Sequence, residues 1–170
     1  MTKMTPYLLL LLVPILSTQG ANFVDICTDS SGNKCCAEGM NNSEYWVMQS
    51  LGTWTELDIE CRLESSPNSK LVVFQNRAEN DCLIKYLTDE YRGDALKKYA
   101  IGLKSPDDYK GVYEWRTGTD VTPTFTNWVS GYPRDQAYVY MTAGVGAEEN
   151  GKWTDTKSSD LMYGICERSK

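Results

Sequence analysis

Asn150-Gly151-Lys152-Trp153-Thr154-Asp155, followed by Leu161-Met162-Tyr163-Gly164-Ile165-Cys166-Glu167, constrains this chain more than any other stretch. Asn-Gly is a strong hairpin signal, because both residues tolerate positive φ. Beyond it come a Trp, a short polar segment and a last apolar strand carrying a cysteine. A cysteine in the final strand raises the question of where its partner lies.

The first twenty residues stand apart from the fold. Lys3 is a small basic region, Tyr7 to Ile15 is apolar, and Thr18 and Gly20 sit as small residues before Ala21. That pattern predicts a signal peptide over residues 1–20 and a secreted, extracellular protein. The apolar run is shorter than the ~20 residues a membrane-spanning helix needs, so no membrane insertion is expected. All six cysteines lie beyond it, and an even count in a secreted chain points to disulfides.

Histidine is absent. This removes the usual general base and the commonest zinc ligand. Acidic residues are scattered, and no motif pairs two of them for glycoside hydrolysis. The chain therefore reads as a binding protein, not an enzyme, with no catalytic residues. The formal charge of −6 disfavours nucleic acid and anionic membranes as partners.

Residues 21–44 read as an irregular extension rich in Cys, Ser, Asn, Asp and Gly. Asn41-Asn42-Ser43 makes Asn41 a glycosylation acceptor. Glu44 to Ser50 predicts a first strand. Thr53 and Glu56 have capping-box spacing, and Trp54, Leu57 and Cys61 then fall on one helical face. Leu71 to Phe74 predicts a buried strand. Asn76 and Glu79 open a second helix, whose Cys82, Leu83, Tyr86 and Leu87 form a core-facing stripe ending near Arg92-Gly93. Strands are predicted over 99–103, 112–115, 137–141 and 161–166, with residues 121–135 irregular.

Two helices followed by short strands outline an α+β fold. The motifs resemble those of the C-type lectin-like domain family. Trp54 to Cys61 resembles its first helix, and Tyr99-Ala100-Ile101-Gly102-Leu103 resembles its Trp-Ile-Gly-Leu strand. Trp115, Trp128 and Gly131-Tyr132-Pro133 resemble its spacing of Trp residues before a Pro-centred loop. Trp153-Thr154-Asp155 and Tyr163-Gly164-Ile165-Cys166-Glu167 complete the likeness, which runs roughly from residue 45 to 168. It implies two helices with short antiparallel strands and an irregular long-loop region, as one domain over 45–170.

The resemblance also implies a Cys61–Cys166 disulfide, whose long loop would stabilise by ~4–5 kcal/mol in the chain-entropy model. The family's second disulfide has Ala137 and Ser158 at its positions. Cys27, Cys35, Cys36 and Cys82 remain. Adjacent cysteines seldom bond each other, so Cys35 and Cys36 are expected to pair separately, one with Cys27 and one with Cys82. An intermolecular bridge is the alternative, which leaves a disulfide-linked or non-covalent dimer open.

In sugar-binding members of the family, calcium sits between Glu-Pro-Asn or Gln-Pro-Asp and Trp-Asn-Asp. Calcium takes about 6–8 oxygen ligands, which vicinal sugar hydroxyls complete. Here the first segment reads Tyr132-Pro133-Arg134, and Thr154 replaces the Asn of the second. Asp135 and Asp155 are the residual metal candidates, too few for a tight site. No cofactor is expected, and calcium-dependent sugar binding is disfavoured. Arg134 is instead expected to pair with Asp155 or Asp135, and Pro133 to be cis.

The candidate ligand-binding loop is thus Tyr132, Pro133, Arg134, Asp135, Thr154 and Asp155, with Trp128, Tyr132 and Tyr138 as stacking surfaces. The first functional reading is a secreted module binding extracellular carbohydrate. A calcium-independent protein-binding module and a matrix-associated structural protein are the alternatives, and fold alone does not decide among them.

Overall fold

The computed structural model describes residues 23–25, 43–63, 68–90, 96–106, 111–117, 122–145 and 148–169. The predicted signal peptide, Asn41, Cys27, Cys35 and Cys36 lie outside the described residues. In chain order the elements are β1 (Phe23–Asp25), β2 (Ser43–Met48), β3 (Gly52–Thr53), α1 (Trp54–Leu63), β4 (Ser69–Leu71) and α2 (Arg77–Glu90). Then follow β5 (Lys97–Lys104), β6 (Glu114–Trp115), β7 (Tyr138–Ala143), β8 (Trp153–Thr156) and β9 (Leu161–Ser169).

The main path of the sheet is β1-β2-β9-β5-β7-β8, with β3 and β4 also pairing β9, and β6 pairing β5. Ladders are antiparallel except between β5 and β9, where Tyr99 lies opposite Tyr163. That parallel pair arises because the chain leaves β5, traverses the long loop, β7 and β8, and returns alongside. β1 lies in what the sequence suggests is irregular extension. Its Phe23 pairs with Met48, so this segment joins the sheet. β8, four residues read with the polar stretch after the hairpin, is a strand because Tyr138 to Met141 of β7 provides its ladder. At the turn before it, Gly151 takes positive φ (81°) and Asn150 does not.

Both helices begin where side chains satisfy free backbone donors. In α1, the Thr53 N–H donates to Glu56 Oε2 at 2.8 Å and the Glu56 N–H to Thr53 Oγ1 at 3.4 Å, a reciprocal cap. In α2, the Glu79 N–H donates to Asn76 Oδ1 at 3.0 Å. The Glu79 carboxylate reaches one residue further back than a regular box, to the Gln75 N–H at 2.6 Å.

The strands alternate between two cores, because successive side chains leave opposite faces. Tyr99, Ile101 and Leu103 of β5 and Ile165 of β9 meet Leu83, Ile84 and Leu87 of α2. Ala100 of β5, with Met162 and Cys166 of β9, meets Trp54, Leu57 and Cys61 of α1. Cys61 and Cys166 are disulfide-bonded across 105 residues of sequence. Cys82 on α2 is also disulfide-bonded. Among the described residues no helix is long and apolar enough to cross a membrane.

Candidate functional site

The long loop between β5 and β7 is closed at its neck by Ser105 N–H donating to Ala137 O at 2.8 Å. Its far part is stitched to β8. The Trp153 N–H donates to Asn127 O at 2.8 Å and the Val129 N–H to Trp153 O at 2.9 Å. Trp153 itself is fully buried, with Phe74, Trp115, Phe125 and Trp128 around its ring at centroid distances of 5.4–5.9 Å. Aromatic packing of this density fixes where the next residues of β8 can point.

Two residues on, Asp155 is 4% exposed and lies under the tip of the loop. The Arg134 backbone N–H reaches both of its carboxylate oxygens at 2.8 Å. The Gln136 N–H donates to Oδ2 at 2.6 Å. Tyr113 Oη lies 3.0 Å from Oδ2 and 2.8 Å from Gln136 O, so its single proton is shared between two acceptors. Burial above all, then the hydrogen bond to Asp155 and the charges of Asp155 and Asp135, push the Tyr113 pKa above the ordinary tyrosine value. Tyr113 therefore stays a donor at any physiological pH.

The loop backbone is shaped for this bonding. Tyr132–Pro133 is cis, and Gly131 (φ 81°) and Asp135 (φ 60°) adopt left-handed conformations on either side. Aspartate tolerates that region better than most residues. The ion pair expected of Arg134 with Asp155 or Asp135 is corrected by the structure, which forms neither. Arg134 gives Asp155 its backbone N–H, while its guanidinium lies over the Tyr132 ring at 4.3 Å. With the carboxylate already supplied by three donor groups, little is gained by bringing a charged side chain into the buried position.

Of the candidate loop residues, Arg134 thus meets Asp155 through its backbone N–H and rests its guanidinium on Tyr132, Asp135 lies towards Gly111, and Thr154 does not join them. Thr154 lies opposite Tyr140 in the β7–β8 ladder and shares its face, the one packed on the α1 core. Tyr138 belongs to that face too, with its ring 5.0 Å from Trp54, so it is no stacking surface for the loop. Trp128 is partly buried, 5.0 Å from the Tyr113 ring. Among the described residues no three Asp, Glu, Cys or His side chains converge as a metal-binding group.

Tyr113, Gln136, Asn80 and Asn127 are structural participants that sequence reading misses. Tyr113 alternates with Trp115 and so reads as plain core. Asn127 donates to Gly151 O at 2.8 Å and accepts from Lys152 Nζ at 2.9 Å.

A mixed sheet with one helix on each face, a long loop stitched to a Trp-x-Asp strand, and a disulfide from α1 to β9 define a lectin-type domain. Residues 50–168 match the Lectin C-type domain family, and the chain belongs to it. It is 30% identical over 162 residues to C-type lectin domain family 10 member A of Rattus norvegicus, covering 89% of this chain and 47% of the relative. Identity to asialoglycoprotein receptor 1 of Mus musculus is also 30%, covering 82% and 46%. The chain spans about half the length of these curated relatives. Its fold is similar to human lithostathine (TM-score 0.65, 21% identity, 79% of this chain and 91% of that one). It is likewise similar to the C-type lectin CEL-I from Cucumaria echinata (TM-score 0.62, 23% identity, 76% and 92%).

Proposed function

We propose that this chain is a secreted, non-catalytic carbohydrate-recognition module whose long loop engages sugar without calcium. One observation carries the reading. The Asp155 carboxylate is already engaged by the Arg134 and Gln136 N–H groups and the Tyr113 hydroxyl. Calcium would need those same lone pairs and several further oxygens. The neighbouring side chains do not fit the ion. Tyr132 presents a ring, Arg134 a cation, and Thr154 faces the other core. An internal hydrogen-bond lock thus holds the loop in the place a metal would take, and sugar is left to contact Tyr132, Arg134 and the loop backbone.

A glycan array probed in millimolar calcium and again in chelator tests this. Binding to at least one saccharide class, with equal signal in both conditions, is the expected result. Chelator-sensitive binding would overturn the calcium-free reading. A blank array would move the ligand from sugar to protein.

A further inference from the structure

The ligand class follows from what Arg134 does with its charge, and the inference rests on the carbohydrate reading above. Arg134 is exposed, and its guanidinium lies over the face of Tyr132 at 4.3 Å. Its backbone N–H is held by Asp155 and the Tyr132 N–H by Val129 O at 3.1 Å. Tyr132 is itself half-buried. The cation therefore stands on a fixed ring over a fixed backbone, and little freedom remains to be lost on binding.

Two carboxylates are close in sequence or space, and neither takes this charge. Asp155 is buried under the loop, with its oxygens turned to the backbone donors and Tyr113. Asp135 is turned the other way, towards Gly111 and Tyr113. Its Oδ1 would lie only 3.5 Å from a Cβ placed on Gly111, and its charge is felt by Tyr113. The guanidinium edge thus offers planar N–H donors that suit a two-oxygen anion.

We propose that Arg134, carried on Tyr132, is the specificity-determining residue for an acidic saccharide bearing a carboxylate or sulfate group. The anion accepts a forked pair of hydrogen bonds from the guanidinium, while sugar carbons rest on the exposed part of the Tyr132 ring. The chain is acidic overall, with a formal charge of −6, so general attraction cannot supply such binding. It has to be local, and one substitution should remove it.

The experiment uses the secreted protein in chelator with three probes: a heparin-derived sulfated oligosaccharide, a hyaluronan oligosaccharide carrying only carboxylates, and uncharged chitin oligosaccharide. At least one acidic probe should bind about tenfold or more tightly than the uncharged one, since hydrogen bonds to charged groups carry differences of that size. Arg134→Gln should reduce acidic binding to the uncharged level, and Arg134→Lys should keep part of it, both with unchanged melting temperature. Sulfate-only or carboxylate-only binding supports the proposal and names the anion. Equal binding of the uncharged probe, or acidic binding unaffected in Arg134→Gln, overturns it while leaving a lectin. Binding of neutral glycans alone on the array does the same. No binding to any probe together with a blank array overturns the carbohydrate reading itself.

Discussion

The indole N–H of Trp153 donates to Asn80 Oδ1 at 2.9 Å, and this bond ties β8 to α2 through the centre of the molecule. Asn80 is 0% exposed, and its amide also reaches Gly151 O at 3.4 Å. The same asparagine thereby fixes both the turn before β8 and the tryptophan that orients it. Two residues further along the strand sits Asp155, so the geometry of the loop lock depends on a helix residue far from it in sequence.

Asn80→Ala leaves a buried indole N–H without an acceptor. The expected cost is about 1–3 kcal/mol, read as a fall in melting temperature of about 2–4 °C per kcal/mol. An unchanged melt would mean that the indole finds another acceptor.

Asp155→Asn tests the lock directly. An amide has one acceptor oxygen where the carboxylate has two, so with that oxygen at the Oδ2 position, where Gln136 and Tyr113 donate, its NH₂ would face the Arg134 N–H. A loss of about 1–3 kcal/mol is expected. Added calcium should shift neither the wild-type nor the variant melting curve. A ligand that binds the folded state raises stability, so a calcium-induced rise in the wild type alone would show Asp155 to be a metal ligand.

How far the sequence shows this arrangement depends on the range of the interaction that decides each part. Thr53–Glu56 and Asn76–Glu79 are local, and both helix starts are legible from their spacing. β9 is legible from its apolar run. β8 is not, because Trp153-Thr154-Asp155-Thr156 becomes a strand only through pairing with β7. The loop tip is least legible of all. That Arg134 offers a backbone N–H to Asp155 depends on the turn between Gly131 and Asp135. Charge alone suggests the ion pair that the structure lacks.

Gly102 sits inside β5 for a reason the sequence marks and the structure explains. Its N–H donates to Val72 O at 2.8 Å, and a Cβ there would come within 2.8 Å of Leu71 O and 3.1 Å of Val72 O. Both contacts are backbone, so neither can rotate aside. Gly102→Ala should destabilise by about 1–3 kcal/mol, the usual penalty for overfilling a packed site. Denaturant melts that superimpose on the wild type would show that the 71–72 segment can shift.

Glu167 gives the fold a pH dependence of unusual sign for a carboxylate. It is 6% exposed on β9, with Lys70 Nζ 2.8 Å from Oε1 and the Val73 N–H 3.2 Å from Oε2. Burial raises its pKa, and nearby Glu79 adds to the rise, while Lys70 and the Val73 N–H offset it only in part. The folded state therefore holds this proton more tightly than the unfolded chain, where Glu titrates near ~4.3. Its contribution to stability is complete below that value and is lost as pH rises through the folded pKa. Glu167→Gln removes this dependence. The stability of the wild type relative to Glu167→Gln should then fall as pH rises above the unfolded-state value of ~4.3, measured by urea unfolding. Lys70→Met takes away an offsetting cation and should carry the fall to higher pH. Parallel stability curves for wild type and Glu167→Gln would show that solvent reaches the carboxylate and that burial does not govern it.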